Sequence, residues 1–135
     1  DLAKNVESAR VISKELKMKV KIRPHINEDG VKNPEYLIDE KLADLKNIQG
    51  LGGIKHGLDS SKKQQCEYTV FNLSAFDTVE PEMLKNKLNG IYKLYGEKYA
   101  GQRMVFIYKR KAVKVSWQDV VDGKATDLLK ELQEQ

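Results

Sequence analysis

Three residues in the stretch NPEYLIDEKLADLK (33–46) have the types and spacing for phosphate chemistry. Glu35 follows Pro34 directly, Asp44 comes nine residues later, and Lys46 lies two beyond that. Side chains two apart on a strand share a face, so Asp44 and Lys46 project together while Leu45 packs behind them. If the preceding segment pairs with this strand as a hairpin, Glu35 reaches the same rim. Two carboxylates and an ammonium converging there describe a site for a divalent cation and a phosphate. Hard Mg²⁺ takes oxygen ligands from one or two carboxylates and keeps waters that can be activated. The lysine stabilises the phosphorane charge or positions the attacking water. The plainer alternative is that Glu35 and Asp44 are strand acids that discourage aggregation and that Lys46 is a solvated lysine.

These residues must be held by their neighbours. Leu2, Val6, Ala9, Ile12 and Leu16 recur at helical spacing among charged residues and predict an amphipathic helix over the first sixteen positions. KMKVKI then alternates as a strand with one wet face, ended by Pro24. HINEDGVKNP reads as loop, and EYLID and KLADLK as two short strands turning at Asp39 and Glu40. NIQGLGG is a glycine-rich link, IKHGLDSSKKQQ a weak helix, and EYTVFNL, apolar on both faces, a strand in the middle of a sheet. Pro81 opens a second strong helix carrying Leu84, Leu88, Ile91 and Tyr95. MVFIY and AVKVSW flank Lys109–Arg110–Lys111 as a hairpin, and TDLLKELQEQ predicts a helix capped by Thr126. The fold class is therefore α/β (α+β), with a core of helix, three strands, helix and strand, and an added hairpin and C-terminal helix.

With 135 residues, 40% hydrophobic and 33% charged, the chain fits one domain over 1–135 with a buried core and a charged surface. No apolar run approaches bilayer length. The net charge of +4 permits a polyanionic partner without requiring one. The lone Cys66 can form no internal disulfide and reads as a buried thiol. The chain opens at Asp1 without an initiator Met or a signal-like segment, so it is expected to be a piece of a longer protein.

PE, eight residues, then DLK, set in that order of elements, resembles the PD-(D/E)xK signature and core of restriction-endonuclease-like nucleases. A closer likeness spans roughly residues 5–115. The runs ESARVISKELKMKVKIRP, NPEYLIDEKLADLK, IKHGLDSSKKQQCEYTVFNL and VFIYKRKAVKV resemble the C-terminal nuclease domains of contact-dependent growth inhibition toxins. Similar toxin domains end phage head morphogenesis proteins. The resemblance implies a metal-dependent endonuclease toxin that hydrolyses phosphodiester bonds in nucleic acid, with tRNA the foremost substrate. It implies catalysis by Glu35, Asp44 and Lys46, and Mg²⁺ (or Mn²⁺) on Glu7, Glu35 and Asp44. Glu7 would come from the first helix, with Glu15 its fallback. It further implies a monomer matched by a cognate immunity protein, delivered to act in the target-cell cytoplasm. Glu35 departs from the Asp usual in the signature, a longer arm that shifts the metal. A second toxin lineage, metal-independent RNases of the barnase and colicin type, would instead work with His25, Lys46, His56 and Ser60. A non-catalytic module that binds nucleic acid or an immunity protein is the remaining alternative.

Lys55, His56, Ser60, Ser61, Lys62 and Lys63 follow the glycine link at a helix start, where backbone amides and the dipole favour phosphate. They are the candidate nucleic-acid contacts, and a solvated basic face is the plain reading. Glu7 likewise suits an exposed helix face. Trp117, Tyr92, Tyr95 and Tyr99 fit a core better than a base-stacking platform.

Overall fold

The structure, a computed structural model, describes residues 2–25 and 33–133. Positions 26–32 of the expected loop and the last two residues of the expected C-terminal helix lie outside the described residues. The elements run α1 (Leu2–Leu16), β1 (Val20–Ile22), β2 (Tyr36–Ile38), β3 (Lys41–Asn47), α2 (Gly53–Lys63), β4 (Tyr68–Asn72), α3 (Pro81–Tyr95), β5 (Arg103–Tyr108), β6 (Lys111–Ser116), α4 (Trp117–Val121) and α5 (Ala125–Leu129). This is the mixed α/β class expected, with helix, three strands, helix and strand leading.

The strands form one sheet in chain order, β1-β2-β3-β4-β5-β6. The first three are antiparallel, β3, β4 and β5 are parallel, and β5 and β6 are antiparallel. Asp39 and Glu40 close the β2–β3 hairpin with φ of 47° and 69°. A two-residue turn with both φ positive matches the twist of the strands it joins. Parallel neighbours cannot be joined by a tight turn, so α2 and α3 are the crossovers that make β3–β4 and β4–β5 possible.

Helices cover both faces of the sheet. α1 buries Val11 and Ile12 against Tyr36, Ile38, Leu45, Val70 and Val105. The opposite face carries Leu58 of α2, Leu88 of α3 and Leu129 of α5 over Phe71, Phe106 and Val115. β4 is buried on both faces, as its apolar sequence predicts. Cys66 is a buried free thiol. Tyr99 and Trp117 are core residues whose rings meet edge to face at 5.3 Å, while Tyr95 is 40% exposed.

The C-terminal region differs from expectation. Trp117 starts α4 rather than ending a strand, because Ser116 and Asp119 form a reciprocal capping box. The Ser116 hydroxyl accepts from the Asp119 N–H at 3.0 Å, and the Asp119 carboxylate accepts from the Ser116 N–H at 2.9 Å. Thr126 is not a cap. α5 has already begun at Ala125 after Lys124, and the chain then tightens to a 3₁₀ turn over Lys130–Gln133.

Candidate functional site

Alternation along β3 sends Ala43 and Leu45 into the α1 core and leaves Asp44 and Lys46 on the face beneath α2. β2 is only three residues long, and β3 runs on past its first residue, Tyr36. Continuing the register beyond Tyr36–Ala43 sets Glu35 opposite Asp44. There the Glu35 side chain takes over from the missing strand: its Oε2 accepts the Leu45 N–H at 2.8 Å. The backbone of Glu35 is pinned from the other side, where its carbonyl accepts the Arg23 N–H at 2.9 Å.

Asp44 is 2% exposed, and among the described residues the donors that reach its Oδ2 are side chains. Lys46 Nζ lies 3.1 Å away, Ser60 Oγ donates at 3.2 Å and Gln64 Nε2 at 3.1 Å. Gln64 Nε2 also bonds Ser60 Oγ at 3.1 Å, tying one turn of α2 and the residue after it into the site. Glu35 and Asp44 thus face each other on the same side of the sheet, and their carboxyls interact. Burial, a hydrogen bond with Asp44 and the Asp44 charge push the Glu35 carboxyl up to about 7, against the opposing pull of the Leu45 N–H.

α2 comes this near because of two small residues. A Cβ on Gly57 would stand 2.4 Å from Phe71 Cε1 and 3.2 Å from Lys46 Cγ. Ser61 is fully buried and accepts the Thr69 hydroxyl at 2.7 Å. Ser61 therefore docks the helix on the sheet and faces no phosphate. Of the other candidate contacts, Ser60 is turned inward to Asp44, and Lys55 pairs with Asp59 at 2.7 Å. Lys62 donates to the Lys98 carbonyl at 2.7 Å from an exposed position, and His56 and Lys63 are exposed on the helix.

The structure does not bring the helix acids to this pair. α1 lies on the opposite face of the sheet, where Glu7 is exposed and pairs with Arg10 at 3.1 Å. Glu15 pairs with Lys111 of β6 at 3.5 Å. Among the described residues no three His, Cys, Asp or Glu side chains converge as a metal cluster. The fit to a cation therefore rests on two carboxylates that repel each other unless a proton or cation sits between them. Two oxygen donors completed by water suit Mg²⁺ or Mn²⁺, whereas Zn²⁺ sites draw on His and Cys. His25 lines a recess that also holds Arg23 and Glu35.

Sequence reasoning did not single out Gln64 or Gly57. Their signal was the spacing of Gly57, Ser61 and Gln64, small and polar residues on one helical face. It also passed over Asp59, which takes the Lys55 ammonium, the Tyr99 hydroxyl at 2.5 Å and Lys98 at 3.3 Å. Burial alone would raise the Asp59 pKa, but these three donors hold its carboxyl down at about 2.

Fold and site together define a mixed α/β domain with a lysine-bound carboxylate pair under a crossover helix. The family described as the contact-dependent growth inhibition CdiA C-terminal domain matches residues 32–113, and the chain belongs to it. It is a contact-dependent growth inhibition toxin domain, of the kind delivered to target cells. Among solved structures it is similar to a chain of the CdiA-CT/CdiI toxin and immunity complex from Burkholderia pseudomallei. The TM-score is 0.60 at 18% identity, covering 85% of this chain and 83% of that one, a likeness of fold. No curated protein matches the chain. Among the described residues no helix is long and apolar enough to cross a membrane.

Proposed function

We propose that this domain is a metal-dependent endonuclease that hydrolyses phosphodiester bonds in nucleic acid, with tRNA as its substrate class. The observation that carries this reading is the Glu35–Asp44 pair with Lys46 3.1 Å from Asp44. Glu35 and Asp44 would hold Mg²⁺ or Mn²⁺, which when bound supplies charge neutralisation and an activated water. Ser60 and Gln64 fix the Asp44 carboxylate. The Lys46 side chain is a third exposed, so its ammonium can meet a non-bridging oxygen of the scissile phosphate and stabilise the charge that develops there. His56, Lys62 and Lys63 on the outer face of α2 meet flanking phosphates, giving the salt-dependent grip expected of lysines on a polyanion. Glu7 takes no part in holding the metal in this reading. A cognate immunity protein with an acidic surface over α2 would block the same face. The domain acts alone, as a monomer, in the target-cell cytoplasm.

A metal-independent RNase is the second reading. It is favoured by Glu35 titrating near neutrality in a recess shared with His25, an arrangement suited to removing a proton from a ribose hydroxyl. The deciding experiment incubates the purified domain with total RNA and with plasmid, with Mg²⁺ or with EDTA, alongside Asp44→Asn. Cutting of RNA that needs Mg²⁺ and disappears in the variant supports the first reading. Cutting that ignores EDTA supports the second, and no cutting of either substrate overturns both.

A further inference from the structure

A recess of about 380 Å³ opens at the carboxyl ends of β3 and β4, on the α1 side of the sheet, and the candidate site makes no use of it. Its volume lies in the range of about 300–1,000 Å³ typical of ligand pockets. The carboxyl ends of parallel strands are also where open α/β sheets bind ligands. The floor is apolar, with Val11 and Ile107 both buried. The rim carries the amides of Asn47, Gln49 and Asn72. Asn72 Nδ2 donates to Asn47 Oδ1 at 2.8 Å, and Asn72 Oδ1 accepts the Ser74 N–H at 3.1 Å. These bonds fix the planes of both amides, as required of side chains that read the edge of a base. Lys4 and Lys109 stand at the mouth, and Glu7 lies among them with its carboxylate held by Arg10.

Each kind of lining excludes part of the field. An apolar ligand would strand the amides. A bare anion would meet the charge of Glu7. A nucleotide uses all of them: the base against the apolar lining that includes Ala75, the base edge on the amides, phosphate on the lysines, and ribose hydroxyls donating to Glu7. Asn47 directly follows Lys46 on β3 and lies on the other side of it, so a strand bending round the end of β3 meets both sites. Unpaired bases of RNA are readily splayed out of the stack. We propose that this recess takes one unstacked ribonucleotide of the substrate strand next to the scissile position. Its place in catalysis rests on the nuclease reading above. The carboxylate of Glu7, free of the metal, is then the group that selects ribose over deoxyribose.

Two measurements test this. The first titrates the metal-free domain with AMP, CMP, GMP and UMP and with their deoxy counterparts, following side-chain amide resonances by NMR. Shifts of Asn47, Gln49 and Asn72 are expected, larger with ribonucleotides. The second is RNA cleavage by Asn47→Ala/Gln49→Ala, both exposed positions whose loss leaves the fold intact. KM should rise roughly tenfold, the scale of a lost base contact, with kcat unchanged. Nucleotides that shift none of these resonances, or a double variant with the parental KM, overturn the pocket. Equal shifts with deoxynucleotides overturn the role of Glu7. If the parent cuts no RNA, the nuclease reading falls, and the resonance shifts alone decide the pocket.

Discussion

Replacing Asp44 by Asn should bring the pKa of Glu35 down. In the parent, burial, the hydrogen bond with Asp44 and the Asp44 charge raise it from an ordinary 4.5 to about 7. The variant keeps the burial and the Leu45 N–H but loses the neighbouring charge, so a fall of roughly one pH unit is expected. The sign for stability follows from proton binding. A carboxyl whose folded pKa is raised binds its proton more tightly in the fold, so its contribution is full below 4.5 and is withdrawn as pH rises to about 7. At about 1.4 kcal/mol per pH unit the ceiling is about 3 kcal/mol. Glu35 is only half-buried, and solvent screening reduces that to about 1–2 kcal/mol. Urea midpoints of the parent and Glu35→Gln between about pH 4 and 8 isolate this contribution. Carboxyl ¹³C shifts give the titration itself. Mg²⁺ should shift the titration to lower pH, since a cation competes with the Glu35 proton. If Glu35 titrates near 4.5 in the parent, or the two stability curves run parallel, the account of interacting carboxyls is refuted.

Gly57→Ala would ordinarily strengthen a helix by about 1 kcal/mol. Here the new methyl meets Phe71 and Lys46, so thermal denaturation should show a net loss of about 1–2 kcal/mol, with reduced activity. Ser61→Ala alone strands the buried Thr69 hydroxyl and should cost about 1–3 kcal/mol. Adding Thr69→Val should cost less than the two single changes combined, which a double-mutant cycle by urea unfolding measures. The Asp59 carboxyl, held at about 2, contributes stability that is present above 3.8 and lost as pH falls through about 2. Its side chain is a third exposed, so acid unfolding of Asp59→Asn should show that contribution, about 1 kcal/mol after screening, to be missing.

Much of this arrangement was legible in the residue order. Period-two alternation in KLADLK put Asp44 and Lys46 on one face and Leu45 on the other, and the double-apolar EYTVFNL marked β4 as central. What stayed hidden was which helix covers which face. Alternation sorts side chains into two sets without saying what lies above either. The toxin resemblance implied Glu7 beside Asp44, and nothing in the residue order showed that α1 lies across the sheet from it. For Ser60 and Ser61, expected among the phosphate contacts of residues 55–63, the same limit applied. Gly57 and Ser61 are small because α2 presses on the sheet, and Ser60 turns inward with them. Trp117 looked like the end of a strand from its β propensity, which the Ser116–Asp119 capping box overrides.

The distances along the chain that close the site are short. Glu35 reaches Leu45 across 10 residues, Ser60 reaches Asp44 across 16, and Gln64 reaches Asp44 across 20. Loops of this size close on the nanosecond-to-microsecond scale, and the entropy of closing them grows only slowly with length. The β2–β3–α2 segment can thus assemble its carboxylates and their donors before α3 and the C-terminal helices complete the far core. In refolding from urea, the Glu35–Asp44 pair should therefore gain its local partners before the core of Leu88, Trp117 and Leu129 is packed.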